Sequence, residues 1–224
     1  MEIKKLSTNS PVDKLLEGGL EAGAVTNVYG PPGSGKTNLA ISSALACKGK
    51  VVYIDTEGSF SLERFHQLGG DEKKLKNIIM IEPHTWKEQL VAVDNLDKLF
   101  RNEKIELIII DSVVALYRLE LSQDNFSDIN RQLASQYCIL SRIGREQKIP
   151  VLVTNQVYSK GDEVEVSSKS VARYWSKCLI ELKRTEKDNH RLAILRKHRA
   201  LPEGRKIEFE ITEKGLKATK FSIF

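Results

Sequence analysis

The chain has 224 residues, of which 41% are hydrophobic, and its 35 lysines and arginines face 30 aspartates and glutamates. This length and composition fit one globular domain, residues 1–224, with a sizeable core, and they exclude a low-complexity chain. The formal net charge of +5 permits a polyanionic partner without requiring one.

The cysteines and the apolar runs bear on the compartment. Cys47, Cys138 and Cys178 are far apart, show no Cys-x-x-Cys spacing and lie in or beside apolar stretches, so we expect buried thiols in a reducing compartment. No apolar run approaches the roughly 18 residues that a membrane helix needs, and the N-terminus lacks the apolar centre of a signal peptide. These features predict a cytoplasmic protein without a membrane partner.

Short β-branched runs alternate with amphipathic stretches along the first two thirds of the chain. Ser10 and Pro11 predict the start of a helix that ends at Gly18 and Gly19. The predicted strands are 24–30, 50–58, 77–83, 105–113 and 149–157, and the predicted helices between them include 38–49, 85–102 and 128–147. The continuous apolar run "LIII" before Asp111 is typical of a strand covered on both faces, as in parallel sheets.

The pattern changes after Gln156. A polar stretch without clear periodicity, 157–175, precedes three hairpin-like strands at 178–186, 190–198 and 205–212. We therefore predict a doubly wound α/β fold with a mostly parallel, twisted sheet that is flanked by helices and extended by antiparallel strands at its C-terminal end.

Gly30–Thr37, "GPPGSGKT", matches G-x-x-x-x-G-K-[ST] between a predicted strand and a predicted helix, and we call it the P-loop. Its glycines let backbone amides surround a phosphate, and the helix that follows presents its positive end. Lys36 is predicted to reach the β- and γ-phosphates, and Thr37 to place its hydroxyl on Mg²⁺. The predicted nucleotide contacts are Gly30, Pro31, Pro32, Gly33, Ser34, Gly35, Lys36, Thr37 and Asn38.

Polar residues at the ends of other strands are candidates for the chemistry. Asp111 is predicted to hold Mg²⁺ through water, and Gln156 to donate to a γ-phosphate oxygen. Glu57 is predicted as the general base for the attacking water, with Asp55 as a rival. For each residue, an ordinary polar group at a strand end remains the alternative.

Four segments together carry a family resemblance: "GPPGSGKT", "VVYIDTEGSF", "LIIIDSVVALYR" and "PVLVTNQV", in this order and over nearly the full chain. They resemble the ATPase core of the RecA/RadA recombinase family, and the short length with "RKHRALPEG" is most similar to the short archaeal paralogues of RadA. The resemblance implies a RecA-like P-loop ATPase fold, ATP and Mg²⁺ as ligands, and catalytic roles for Lys36, Glu57 and Gln156. It also implies a DNA repair and homologous recombination protein that binds single-stranded DNA, assists or regulates the RadA recombinase and hydrolyses ATP weakly.

The same resemblance implies further site residues. Arg64 matches the family arginine that stacks on adenine, and Pro202 matches a residue that closes over a nucleotide on a neighbouring subunit. Two DNA-binding loops would fall near Val113–Asp128 and Val157–Arg173. Their candidate phosphate contacts are Arg118, Lys160, Lys169 and Arg173, while the acids Asp162, Glu163 and Glu165 predict that DNA binding is modest.

The chain also departs from full recombinases of the RadA kind. It shows neither their N-terminal DNA-binding domain nor their Phe-x-x-Ala subunit clip, so we expect monomers or dimers rather than filaments. Bacterial RecA proteins carry two lysines where this chain has Lys197 and Arg199, and strand alternation places these two on one face, so both are predicted to act in trans on ATP held by a second molecule. Alternatives are a signalling ATPase of the clock-protein kind and an autonomous strand-exchange recombinase.

Overall fold

The computed structural model describes residues 3–160, 163–166 and 169–219. Within these residues the strands are β1 (Lys5–Leu6), β2 (Leu20–Glu21), β3 (Val25–Gly30), β4 (Lys50–Asp55), β5 (Ile78–Ile81), β6 (Ile105–Asp111), β7 (Val151–Lys160), β8 (Glu163–Val166), β9 (Cys178–Arg184), β10 (His190–His198), β11 (Lys206–Thr212) and β12 (Gly215–Ala218). The helices are α1 (Val12–Leu15), α2 (Lys36–Ala46), α3 (Leu62–Gln67), α4 (Glu72–Leu75), α5 (Trp86–Asp94), α6 (Leu96–Leu99), α7 (Ala115–Glu120), α8 (Phe126–Gln147) and α9 (Lys169–Trp175).

The main sheet has the strand order β12-β11-β10-β9-β3-β7-β6-β4-β5, with β8 paired antiparallel to the end of β7. The six strands from β9 to β5 are mutually parallel, and β10, β11 and β12 continue the sheet antiparallel. The predicted mostly parallel sheet with antiparallel strands at its C-terminal end is confirmed. Strand β9 belongs to both parts, because it runs parallel to β3 and antiparallel to β10.

The sheet separates two cores, and the alternation of strand side chains assigns residues to each. On β6, Leu107 and Ile109 face the core that includes Leu39 of α2, while Ile108 and Ile110 face the core that includes α8. All four β6 side chains are fully buried. The apolar run before Asp111 therefore arises because this strand has a helix layer on each side.

One predicted helix, 85–102, is wrong as a single element. Thr85 caps α5, and its Oγ1 accepts the amide of Glu88 at 3.2 Å. The helix ends at Asn95, whose side-chain Nδ2 donates to the carbonyl of Val91 at 2.9 Å. Because this short side chain competes for a helical carbonyl, α5 stops there and α6 begins a separate turn.

Other local expectations also need correction. The predicted N-terminal helix shortens to the four residues of α1, and the polar stretch 157–175 forms the end of β7, β8 and α9. Strand β12 has no counterpart among the predicted strands. Cys138 is exposed on α8, so the expectation of three buried thiols is wrong for it, whereas Cys47 and Cys178 are buried.

Across the parts of the chain that the structure describes, no helix combines the length and the apolar character that crossing a bilayer requires.

Candidate functional site

Four parallel strands end at one edge of the sheet, which we call the carboxyl edge. Strands β3, β4 and β6 end at Gly30, Asp55 and Asp111, and β7 passes this edge at Gln156. The register pairs Asp55 with Asp111 and Gly30 with Gln156. Sequence-distant residues at strand ends are thereby brought together, as ligand sites in open α/β sheets require.

The P-loop packs against the C-terminal part of the chain. A Cβ on Gly30 would lie 2.3 Å from the Leu182 carbonyl oxygen, so only glycine permits β9 to approach this closely. Gly35 has φ 98°, and a Cβ there would lie 3.1 Å from Ile211 Cδ1. Strands β9 and β11 therefore form a wall beside the P-loop.

Lys36 lies inside the P-loop. Its Nζ donates to the carbonyls of Gly30 at 3.0 Å and Pro31 at 3.1 Å. Burial lowers the pKa of Lys36, while the charges of Asp111 and Glu57 oppose that shift. Together with a fully buried Ser34 hydroxyl that has no hydrogen-bond partner among the described residues, this ammonium fits a bound phosphate chain.

Asp111 is almost completely buried behind Thr37. Its carboxylate accepts hydrogen bonds from the hydroxyls of Tyr53 at 3.0 Å, Ser59 at 3.3 Å and Thr154. Burial raises the pKa of Asp111, and hydrogen bonds from Thr154, Thr37 and Tyr53 oppose the shift. The predicted pair of Thr37 and Asp111 is thus a set of hard oxygen donors that fits Mg²⁺. Sequence reasoning missed Ser59, although it follows Asp55 closely in the "DTEGSF" turn.

The structure separates the roles of the two acids after β4. Both oxygens of Asp55 are engaged, since they accept the amides of Phe60 at 2.8 Å and Glu57 at 3.1 Å. Asp55 therefore shapes the turn that follows β4, and its side chain is buried. Glu57 is exposed, so its carboxylate is the one of the two that water can reach.

A chain of hydrogen bonds joins three predicted functional residues. Gln156 Nε2 donates to Glu57 Oε1 at 2.8 Å, and Arg118 Nη1 donates to Gln156 Oε1 at 2.6 Å. The amide orientation follows from the partners, because a carboxylate only accepts and a guanidinium only donates. Gln156, the predicted phosphate sensor, therefore contacts both Glu57, the predicted base, and Arg118, the predicted DNA contact.

Arg64 lies beside the first turn of α2. Its Nε donates to Asn38 Oδ1 at 2.5 Å, and its Nη1 donates to the Glu213 carbonyl at 3.2 Å. Burial lowers the pKa of Arg64. The structure thus places the residue predicted to stack on adenine next to a predicted nucleotide contact.

Arg191 is a contact that sequence reasoning missed. It lies near the start of β10, and its Nε donates to the Gly33 carbonyl at 2.8 Å. Burial lowers the pKa of Arg191, with a smaller effect from Arg184. The antiparallel direction of β10, which the hairpin-like pattern predicts, brings this end of the strand to the P-loop, but the sequence does not show which side chain reaches Gly33.

The basic run Arg196–Arg199 lies toward the opposite edge of the sheet. His198 pairs with Cys178, which pairs with Thr26, four residues before Gly30 and thus about 13 Å along the strand. Pro202 follows this run in the turn between β10 and β11. The basic run therefore lies away from the P-loop of its own chain.

The two predicted trans-acting cations do not share one face in this chain. Strand β10 ends at His198, so the alternation of side chains along the strand does not extend to Arg199. Lys197 Nζ donates to the Ser176 carbonyl at 2.8 Å, whereas Arg199 Nε donates to Glu21 Oε2 at 2.6 Å. The shared face is therefore wrong, and the role in trans stays a prediction.

The predicted DNA contacts after Gln156 are only partly visible. Arg173 is exposed on α9, beside an exposed Tyr174 and a half-buried Trp175. Lys160 ends β7 and Lys169 begins α9, but their side chains lie outside the described part of the chain.

Comparisons with known proteins show the family and the fold of the chain. The family model described as Rad51 matches residues 1–219. A protein named "DNA repair and recombination protein RadB" from Methanosphaera stadtmanae is 40% identical over 221 residues, with 94% of each chain covered. One of the same name from Methanococcus maripaludis strain C7 is 45% identical over 213 residues, covering 92% of this chain and 96% of the relative.

Among solved structures, one described as "Crystal structure of the RadB recombinase" matches with a TM-score of 0.84 and 34% identity, covering 96% of this chain and 100% of that one. The resemblance to the RecA/RadA recombinases and to their short archaeal paralogues is confirmed. The chain belongs to the Rad51 family.

Proposed function

We propose that this chain is an ATP-binding DNA repair and recombination protein that binds single-stranded DNA, hydrolyses ATP slowly and assists or regulates a RadA recombinase. It acts as one domain, in monomers or dimers. The single observation that carries this proposal is the contact series Glu57, Gln156 and Arg118, because it connects the acid beside the P-loop to a predicted DNA contact. The names of the RadB relatives support the recombination role.

The P-loop residues bind and orient the phosphates. The half-buried Lys36 ammonium regains stabilisation when an anion enters, since burial disfavours its charge and phosphate oxygens replace backbone carbonyls as its acceptors. When bound, Mg²⁺ would neutralise phosphate charge beside Thr37 and Asp111. Arg64, whose Nε donates to Asn38 Oδ1, stacks on the adenine base in this proposal.

Glu57 and Gln156 act on the γ-phosphate side. The exposed Glu57 carboxylate accepts a proton from the attacking water, and the Gln156 amide fixes the orientation of that carboxylate at 2.8 Å. Gln156 can instead donate to a phosphate oxygen. Its move would leave Arg118 without this acceptor and turn the guanidinium toward a DNA phosphate.

The test compares Lys36→Ala, Glu57→Gln and the matched control Glu63→Gln, which removes an exposed acid on α3. We expect Lys36→Ala to abolish binding of a fluorescent ATP analogue. We expect Glu57→Gln to bind it normally while phosphate release falls by roughly 10²-fold or more, as for loss of a general base. Glu63→Gln should match the parent in both assays.

Turnover by Glu57→Gln at the parent rate would remove Glu57 as the base. Failure of the parent to bind single-stranded DNA, or to associate with a RadA recombinase in the presence of ATP, would contradict the recombination role.

A further inference from the structure

A second groove lies at the amino edge of the sheet, where the parallel strands begin. It encloses about 1020 Å³ and is formed by the segments that lead into β1, β4, β6 and β7. We call it the amino-edge groove and define it by its exposed cations: Lys4, Lys48, Arg101, Lys104 and Lys148. It shares no lining residue with the P-loop.

The groove carries an excess of positive charge. Besides these five cations it is lined by Lys5, whose Nζ donates to the Leu16 carbonyl at 2.8 Å, and by two acids, Glu103 and Glu106. Glu106 Oε2 accepts the backbone amides of Lys48 and Gly49, each at 2.9 Å. Hydrogen bonds from the Gly49 and Lys48 amides lower the pKa of Glu106, so this carboxylate is occupied in shaping the turn.

The five exposed cations are only partly balanced by acids, because the charge of Glu106 interacts with Lys4 and Lys104. None of them forms an ion pair with any residue within 3–160, 163–166 or 169–219. Five unpaired charges around one groove repel one another, and a polyanion that enters relieves the repulsion and releases its own counterions.

The arrangement of the cations indicates a chain of phosphates rather than one ion. Lys48, Lys104 and Lys148 come from three separate turns, each preceding a different strand, so their charges form a row across the edge. Phe100 is half-buried and packs against the core that includes α8, and the part of its ring that lines the groove offers a surface on which a base can stack. An acidic protein segment would match the charges but has no base for this ring.

We infer that the amino-edge groove binds the backbone of single-stranded nucleic acid, as a contact separate from the loops at the carboxyl edge. The choice of nucleic acid rests on the proposed function, whereas the polyanion site rests on the groove alone. Because the groove contacts neither the P-loop nor the Gln156 series, its contribution to binding is independent of ATP.

The test measures anisotropy of a labelled oligo(dT) at several salt concentrations, with and without ATP. The groove variant is Lys48→Gln/Lys104→Gln/Lys148→Gln. The matched control is Lys73→Gln/Lys206→Gln/Lys214→Gln, which removes three exposed lysines elsewhere. We expect the groove variant to bind roughly tenfold or more weakly than the parent. Each phosphate contact contributes roughly 0.7 to the slope of log affinity against log salt, so the loss of three contacts should reduce the slope by about 2. Both effects should be the same with and without ATP. The control should keep the parent slope.

A groove variant with the slope of the control overturns the inference. The single variant Lys104→Gln should have a salt slope that is smaller by about 0.7 than that of the parent. This variant tests the inference if the triple variant does not fold. A polyglutamate peptide that displaces the oligonucleotide at equal charge concentration overturns the assignment to nucleic acid. ATP binding and hydrolysis by the Lys36 and Glu57 variants are measured without nucleic acid, so failure of the proposed function is seen separately.

Discussion

Asp111 combines a buried carboxylate with hydroxyl donors from three parts of the chain. Tyr53 precedes it on the neighbouring strand, Thr154 lies on the strand at its other side, and Ser59 follows β4. The hydroxyls stabilise the charged form, but burial dominates and raises the pKa of Asp111. The residue that fits the metal side of the site is therefore also a cost to the stability of the fold.

This cost predicts a pH dependence. Because the pKa of Asp111 is raised above its ordinary 3.8, the folded chain holds the proton more tightly than the unfolded chain. The contribution to the free energy of unfolding is complete below pH 3.8 and is lost as pH rises through the raised pKa, by about 1.4 kcal/mol per unit of elevation. Asp111→Asn should remove this fall. Urea unfolding between pH 4 and neutrality, with Asp124→Asn as an exposed control, measures it, and parallel curves for parent and Asp111→Asn would contradict it.

At the residue scale, the sequence predicts candidate residues where a motif fixes their spacing. Lys36 and Thr37 follow from the P-loop motif, and Asp111 follows from its place after a buried strand. The choice between Asp55 and Glu57 was not available from spacing, because it depends on which carboxylate the turn amides occupy. Ser59 and Arg191 act through contacts between distant segments, which one sequence does not display.

At the element scale, the antiparallel direction of β10 matters most for the site. It places Arg191 against Gly33, 158 residues earlier in the chain. We expect Arg191→Gln to weaken ATP binding by roughly two- to tenfold, because one hydrogen bond that holds the P-loop in shape is lost. The maximal hydrolysis rate should change little. Titration with a fluorescent ATP analogue tests this, with Arg184→Gln on the same hairpin as control, and equal affinities for the two variants would refute a role for the Gly33 contact.

Elements were predictable where burial on both faces or on one stripe dominates the pattern. The β-branched runs predicted the parallel strands, and the amphipathic pattern predicted α8. The break at Asn95 was not predicted, since one side-chain hydrogen bond decides it within a continuous apolar pattern. Cys138 is exposed because its position on α8, between the buried Tyr137 and Leu140, faces solvent rather than the sheet.

At the scale of the whole molecule, the two edges of the sheet are chemically different. The carboxyl edge holds the P-loop, and the amino edge holds the basic run from Arg196 to Arg199 as well as the amino-edge groove. The basic run is therefore too far from its own P-loop to contact a nucleotide bound there. This separation keeps the predicted trans role of Lys197 and Arg199 open to a direct test.

The test mixes Lys36→Ala with Lys197→Ala/Arg199→Ala under conditions in which the molecules associate. The Lys36→Ala chain cannot bind ATP but retains Lys197 and Arg199, whereas the double variant retains an intact P-loop. We therefore expect the mixture to hydrolyse ATP although neither variant does so alone. Loss in the double variant should approach the roughly 10³-fold of an arginine finger. Arg196→Ala, which removes the partner of Glu181, is the control. Parent activity of the double variant in assembled complexes would end the trans assignment.

The wall beside the P-loop also has a consequence for synthesis on the ribosome. The P-loop leaves the ribosome well before Leu182, Arg191 and Ile211, which complete its surroundings. Because nascent chains emerge from the N-terminus, the loop waits for more than 140 residues before β9 can pack against Gly30. We therefore expect the ATP site to be incomplete until these strands have been translated, and a chain released before β9 would carry the P-loop motif without the wall beside it.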